Sequence, residues 1–429
     1  MQRRNTLVIG PPTKNGPVTK GLQLMSNQLA FRGMAPSSPD SVQYKKPGST
    51  TAWHGSVDAL VAQLRPALPL YLLRPARLEA NAKRIVGAFP GTVAYAVKCN
   101  PDKNVLHTLY KSGVKAFDVA SLEEVRTAHK IAPKAKLFFM NPIKSREAIR
   151  KAYFVHGVRA FSLDCVDELY KILQETDLAP DLELYVRLSI PKAHATMFDL
   201  TGKFGVTAEE APALLQACRP VSAKLGLCFH VGTQCMNPQR YAQAIKISAG
   251  VIKHAGVSVD VLDIGGGFPT TYPDMPGMQP APFEDYMAVI NQAIARHRLG
   301  KMELVCEPGR AMVANAGSLV VRVEQRKGNM LYLNDGTYGG MFDAGAQGNL
   351  IFQTRLIRPG EVNLISDQSY TFAGPTCDSI DMMKGPFKLS GDAAEGDWIE
   401  VSQLGAYCIG LNTRFNGFGK SNMMILSGK

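Results

Sequence analysis

Eight short apolar runs recur between residues 92 and 306, and amphipathic text separates each from the next. They cover 92–97, 114–119, 136–141, 158–163, 182–188, 225–231, 259–264 and 302–306. A strand that is apolar along its whole length needs cover on both faces, which a parallel sheet flanked by helices provides. The intervening text supplies those helices. Leu78, Ala82, Ile85 and Phe89 recur at helical spacing, and 166–176 and 283–297 read similarly. Ser121 stands three residues before Glu124, a capping-box pattern. Eight such units predict an α/β chain closed into a (β/α)8 barrel. An open doubly wound sheet is the alternative, because periodicity alone does not close a barrel.

After Arg310 the rhythm changes. Runs at 317–325, 330–334, 350–356, 397–401 and 422–426 are joined by Gly, Pro and Asp turns without a long helix, which predicts a C-terminal all-β domain. The expected organisation is a flexible basic arm over 1–50 and a linker or strand joining the β domain over 51–72. The barrel follows over 73–312 and the β domain over 313–429.

Half of the net charge of +12 falls in the arm, where Arg3, Arg4, Lys14, Lys20, Arg32, Lys45 and Lys46 face only Asp40. The arm reads as a solvated tail, a targeting peptide or added surface in an oligomer. The rest of the chain carries no basic stripe of the kind that reads nucleic acid. No apolar run approaches the length of a membrane span. None of the eight cysteines forms a CxxC pair, which predicts reduced thiols in a cytoplasmic protein. The eight histidines show no HxxxH or HExxH spacing, so no metal site is expected.

Active groups of a parallel barrel collect where strands end. Lys98 closes the first run, where burial favours a neutral, nucleophilic amine. Asp263 leads into Gly265, Gly266 and Gly267, whose amides can approach an anion closely. Glu307 closes the last run and can hold a heteroaromatic nitrogen charged, while Arg310 can take phosphate. His230 closes another run and can stack on a ring. Cys377 and Asp378 occupy a Gly-Pro-Thr loop in the β domain, where a thiol can donate a proton. Tyr407 precedes the aromatic text near the chain end. Each has an ordinary structural reading by itself. Together they suit one phosphorylated aromatic aldehyde, pyridoxal 5′-phosphate.

The text AYAVKCN, FDVASLEE, FHVGTQC, LDIGGGFP, CEPGR, NDGTYGG, GPTCDSID and GAYC followed by FNGF resembles the fold-type III pyridoxal-phosphate decarboxylases of the ornithine/lysine group. These motifs span about residues 92 to 418. The resemblance implies an alanine-racemase-like barrel, a β domain and a head-to-tail homodimer with shared sites. It implies that Lys98 carries the cofactor covalently, His230 stacks on its ring and Glu307 pairs with the ring nitrogen. Thr233, Gly265, Gly266, Gly267, Arg310 and Tyr407 would surround the phosphate. Asp118, Ser121, Glu124 and Arg187 would lie near the lysine and ring. Tyr338, Cys377, Asp378 and Phe415 would come from the partner, Cys377 donating a proton to Cα and Asp378 holding the distal amine.

One position departs from the family. The acidic residue nine places beyond the tyrosine of NDGxYG is Gln347 here, with Asp343 the nearby candidate to replace it. The reading is decarboxylation of a basic L-amino acid, L-ornithine to putrescine first and lysine to cadaverine second. A diaminopimelate-type decarboxylase and a non-catalytic regulatory paralogue are the alternatives.

Overall fold

The computed structural model describes residues 51–191, 202–345, 348–360 and 366–427. The basic arm and Gln347 lie outside the described residues. All eight expected barrel strands form: β3 Thr92–Ala96, β4 Ala116–Val119, β5 Lys136–Phe139, β6 Ala160–Leu163, β7 Glu183–Leu188, β8 Lys224–Phe229, β9 Val261–Asp263 and β10 Glu303–Cys306. They pair in parallel, and β10 returns to β3 with Val305 opposite Thr92, which closes the barrel and removes the open-sheet alternative. Side chains fill the interior. Ala94, Ala116, Phe138, Ala160, Tyr185, Cys228 and Val305 belong to one buried cluster, where Phe138 and Tyr185 meet edge to face at 5.7 Å. Gly226 makes room for this, since a Cβ there would lie 2.4 Å from the Tyr185 ring.

The helices between strands bury one stripe each. In α4, Leu122–Ile131, Val125 and Ala128 are the buried positions. Ser121 caps this helix by accepting the Glu124 N–H, as the capping-box spacing predicts. Among the described residues, no helix is long and apolar enough to cross a membrane.

The second layer is a mixed nine-stranded sheet. Its strands are β1 Thr51–Trp53, β2 Leu70–Leu73, β11 Gly317–Lys327, β12 Met330–Leu333, β13 Thr354–Ile357, β14 Asp367–Ala373, β15 Met382–Ser390, β16 Trp398–Val401 and β17 Asn422–Leu426. Strand β11 pairs antiparallel with β2, β12 and β16. The chain thus lays two strands preceding the barrel into the sheet that follows it.

Three details depart from the sequence expectation. Strands β14 and β15 were not foreseen, and Gly385–Pro386 inside β15 obscures the strand signal. The run at 350–356 becomes a strand only from Thr354. Leu350 and Phe352 are apolar because they are buried loop residues.

Candidate active site

Lys98 lies in a single 3-10 turn, Val97–Cys99, at the C-terminal end of β3. Its Nζ donates to Asp118 Oδ2 at 2.8 Å, from the end of β4. Asp118 is buried, whereas the Lys98 side chain is 45% exposed to a cleft of about 610 Å³. That volume suits a small-molecule ligand. The sequence reading expected burial to release the amine's proton. Burial does act in that direction, but the facing carboxylate of Asp118 outweighs it and raises the net pKa. Lys98 is therefore an ammonium clamped by Asp118, and it must give up its proton before acting as a nucleophile. Glu124, at the start of α4, accepts the Ala120 N–H at 2.7 Å, and burial raises its pKa.

His230 follows β8. Its Nδ1 accepts the Gly232 N–H at 3.0 Å. Burial, then the positive charges of Arg187 and Lys98, lower its pKa well below the ordinary value. The ring is neutral and carries its proton on Nε2. The triglycine turn packs behind it. A Cβ on Gly265 would lie 2.0 Å from the Phe229 carbonyl, and one on Gly266 would lie 2.4 Å from that of Glu307. Gly265 and Gly267 also have φ of +66° and +96°, so the turn requires glycine.

Glu307 and Asp263 are buried beneath this turn. Asp263 accepts the Gly265 N–H at 2.8 Å, while its Oδ2 and Glu307 Oε1 meet no hydrogen-bond donor among the described residues. Burial pushes Asp263 up to about 6. Burial, then the charges of Asp263 and Asp118, raises Glu307 well above the carboxylate range. Such a site suits a bound cation, because an orphaned buried carboxylate is costly.

Arg310 is buried and donates to the Tyr272 hydroxyl at 2.7 Å. It ion-pairs with Asp343 at 2.7 Å and lies 4.8 Å from the centroid of the Tyr407 ring. Asp343 thus enters the cleft already committed to Arg310. Lys98, Asp118, Arg187, His230, Thr233, Arg310, Asp343 and Tyr407 all line this cleft. Sequence reading missed Tyr272, Asn141, Pro142, Lys203, Phe204 and Leu411. Asn141 and Pro142 were findable, since they follow β5 at the active end of the barrel. The separation of Tyr272 from Arg310 in sequence gave no signal.

The residues of GPTCDSID and NDGTYGG gather elsewhere. Tyr338 donates to Asp378 Oδ2 at 2.6 Å, which lowers the Asp378 pKa. The Cys377 N–H donates to Asn416 Oδ1 at 3.1 Å, and its Sγ lies 3.2 Å from the same oxygen. The Tyr338 and Phe415 rings meet at 4.9 Å. Beneath them, buried Asp381 accepts bonds from the backbone and hydroxyl of both Thr337 and Thr376, tying the two loops together. Tyr338, Cys377, Asp378 and Phe415 are not among the residues that line the Lys98 cleft.

The arrangement around Lys98 fits pyridoxal phosphate. It offers an amine at the cleft, a neutral imidazole on the cleft wall, a nearby buried carboxylate with an unpartnered oxygen that could meet a cation, and a glycine turn with no room for side chains. Residues 76–314 match the family described as pyridoxal-dependent decarboxylase, pyridoxal binding domain. The lysine/ornithine decarboxylase of Selenomonas ruminantium is 31% identical over 76% of this chain and 81% of its own. Antizyme inhibitor 2 of Xenopus laevis is 30% identical over 76% of this chain and 74% of its own. The crystal structure of the arginine decarboxylase of Paramecium bursaria Chlorella virus superposes with a TM-score of 0.75 at 26% identity, covering 86% of this chain and 99% of that one. Fold, family match and cleft agree: the chain belongs to the fold-type III pyridoxal-phosphate-dependent decarboxylases of the ornithine/lysine group.

Proposed function

We propose that this protein decarboxylates L-ornithine to putrescine, with L-lysine to cadaverine as its second reaction, as a cytoplasmic polyamine-forming homodimer. One observation carries the reading. The Lys98 cleft is lined by an amine, the His230 imidazole and the Arg310 guanidinium, with Glu307 and the glycine turn packed beside His230, while Cys377 and Asp378 are not among its lining residues. When bound, pyridoxal phosphate supplies the electron sink for the pair left behind by departing CO2.

The chain's residues do the rest. Lys98 would hold the cofactor's aldehyde carbon, and Asp118 would hold a proton on the lysine amine. Glu307 would pair with the ring nitrogen and hold a proton there, gaining a cation for its buried carboxylate. His230 would stack on the ring as a neutral imidazole and add no competing charge. Thr233, Arg310 and Tyr407 surround the phosphate. Across the subunit boundary, Cys377 delivers a proton to Cα, and Asp378, oriented by Tyr338, takes the substrate's distal ammonium. With Gln347 in place of the family's acid, and Asp343 held by Arg310, Asp378 supplies the carboxylate for that ammonium. A lone carboxylate suits an ammonium at the end of a short chain better than a second carboxylate, which favours ornithine and lysine over diaminopimelate. The chain retains both Lys98 and Cys377, which favours an enzyme over a regulatory paralogue.

The test is a panel of ornithine, lysine, arginine and diaminopimelate with product masses measured. Putrescine from ornithine is expected at the highest kcat/KM. Purified protein should be yellow, and Lys98→Ala should lose that absorbance. A colourless wild type that pyridoxal phosphate does not restore overturns the reading.

A further inference from the structure

The triglycine turn is held by its carbonyls. The Gly265 oxygen accepts the Glu307 N–H at 2.8 Å, and the Gly267 oxygen accepts the Cys235 N–H at 2.8 Å. The middle carbonyl has a side-chain donor: the Tyr241 hydroxyl, from α8 (Gln239–Ala255, the eighth helix of the described chain), donates to the Gly266 oxygen at 2.9 Å. Tyr241 is fully buried. Its ring stacks on Phe268 at 4.9 Å and 15°, and meets the Tyr286 edge at 6.1 Å. The phenol therefore has little freedom to turn away.

In a trans peptide the C=O and the next N–H point in opposite directions. Drawing the Gly265 and Gly266 carbonyls toward Glu307 and Tyr241 turns the N–H groups of Gly266 and Gly267 the other way. Among the described residues, neither N–H meets an acceptor. Two adjacent amides oriented this way make an anion nest. Gly266 is next to the His230 ring, since a Cβ there would lie 3.2 Å from Nε2.

We propose that Tyr241 is a positioning residue that aims the Gly266–Gly267 amides at the cofactor's phosphate. The inference rests on this turn being the phosphate site. Tyr241 touches neither cofactor nor substrate and acts only through the Gly266 carbonyl.

The test compares equilibrium binding of pyridoxal phosphate and of pyridoxal, which lacks the phosphate, to apoenzyme, followed by absorbance and by the rise in melting temperature. Wild type should bind the phosphate ester far more tightly. Tyr241→Phe keeps the ring and loses the donor. It should lower the pyridoxal-phosphate preference about five- to tenfold, the size of one hydrogen bond, with pyridoxal affinity unchanged. Phe268→Leu keeps the hydroxyl but loosens the ring, and a smaller drop is expected; this variant carries the test if Tyr241→Phe does not fold. A preference within about twofold of wild type in the folded variants overturns the role of Tyr241, one hydrogen bond being worth more than that. If wild type itself shows no preference, the phosphate turn fails, and the inference fails with it. An equal loss for both ligands marks Tyr241 as merely structural and also overturns it.

Discussion

The Lys98 cleft and the Cys377 loops are built to different standards of closure. Around Lys98, charges are buried and interlocked: Asp118 clamps the amine, Arg310 holds Asp343 and Tyr272, and three backbone carbonyls pin the glycine turn. Around Cys377, Asp381 locks the loop bases from below, but the tips stay open. Cys377 is exposed, and Ile380, Phe415 and Phe418 are 59%, 41% and 43% exposed. Apolar side chains clustered beside a rigid polar loop mark a surface prepared for contact. The contrast is the one the proposed shared site requires: a closed region around Lys98 and an open one around Cys377.

Subunit mixing is the most forceful way to break that comparison. Lys98→Ala and Cys377→Ala homodimers should each be close to inactive. Mixed and re-equilibrated, they should recover about a quarter of wild-type activity, because half of the dimers then hold one intact site. No recovery in a mixture verified to contain heterodimers means that both halves serve the same chain's site.

Cys377→Ala alone should lower kcat by about 10²–10⁴-fold, the range for loss of a positioned proton donor. It should also divert product toward transamination, because the proton then reaches the cofactor carbon rather than Cα. Amine as sole product at full rate, measured by product mass, assigns the proton to another residue.

The sequence disclosed these two regions unequally. The barrel was readable because each strand is apolar along its length and ends at a polar residue, so Lys98, His230 and Glu307 fell at strand ends by register alone. The sheet was harder. Strand β2 pairs with β11 across the whole barrel, a link between Leu70–Leu73 and Gly317–Lys327 that no local pattern encodes. The site followed the same rule. Asp343 looked free for an ammonium because Arg310 lies far away in sequence, and only the closed fold brings them to 2.7 Å. The protonation of Lys98 was misread for a similar reason. Burial is visible in an apolar run, but the opposing charge of Asp118 comes from the next strand.

A third measurement sharpens the closed side of the comparison. In the apoenzyme, Asp263, pushed up to about 6, binds a proton that the unfolded chain releases near its ordinary value of 3.8. Glu307, raised further, adds to this. The fold therefore binds more protons than the unfolded chain, and stability falls as pH rises through that window. The apoenzyme melting temperature should drop by a few degrees between about pH 5 and 7. Glu307→Gln should flatten the slope, and so should bound pyridoxal phosphate, whose ring nitrogen gives Glu307 a cation. An equal slope in apo, holo and variant protein removes the buried carboxylates as its cause.

The smallest expected effect lies on the open side. Tyr338 donates to Asp378 across 2.6 Å and its ring lies 4.9 Å from that of Phe415. Tyr338→Phe keeps the ring contact and deletes only the donor. The bond is at the surface, where water competes, so its loss should have only a small effect. The KM for ornithine should rise no more than about fivefold. The Asp378 carboxylate, no longer held down by the hydroxyl, should titrate at higher pH, so the acid limb of kcat/KM should move upward while kcat at neutral pH stays near wild type. A change in kcat with KM untouched instead places Tyr338 in proton delivery beside Cys377. The open half would then do more than orient the substrate's far end.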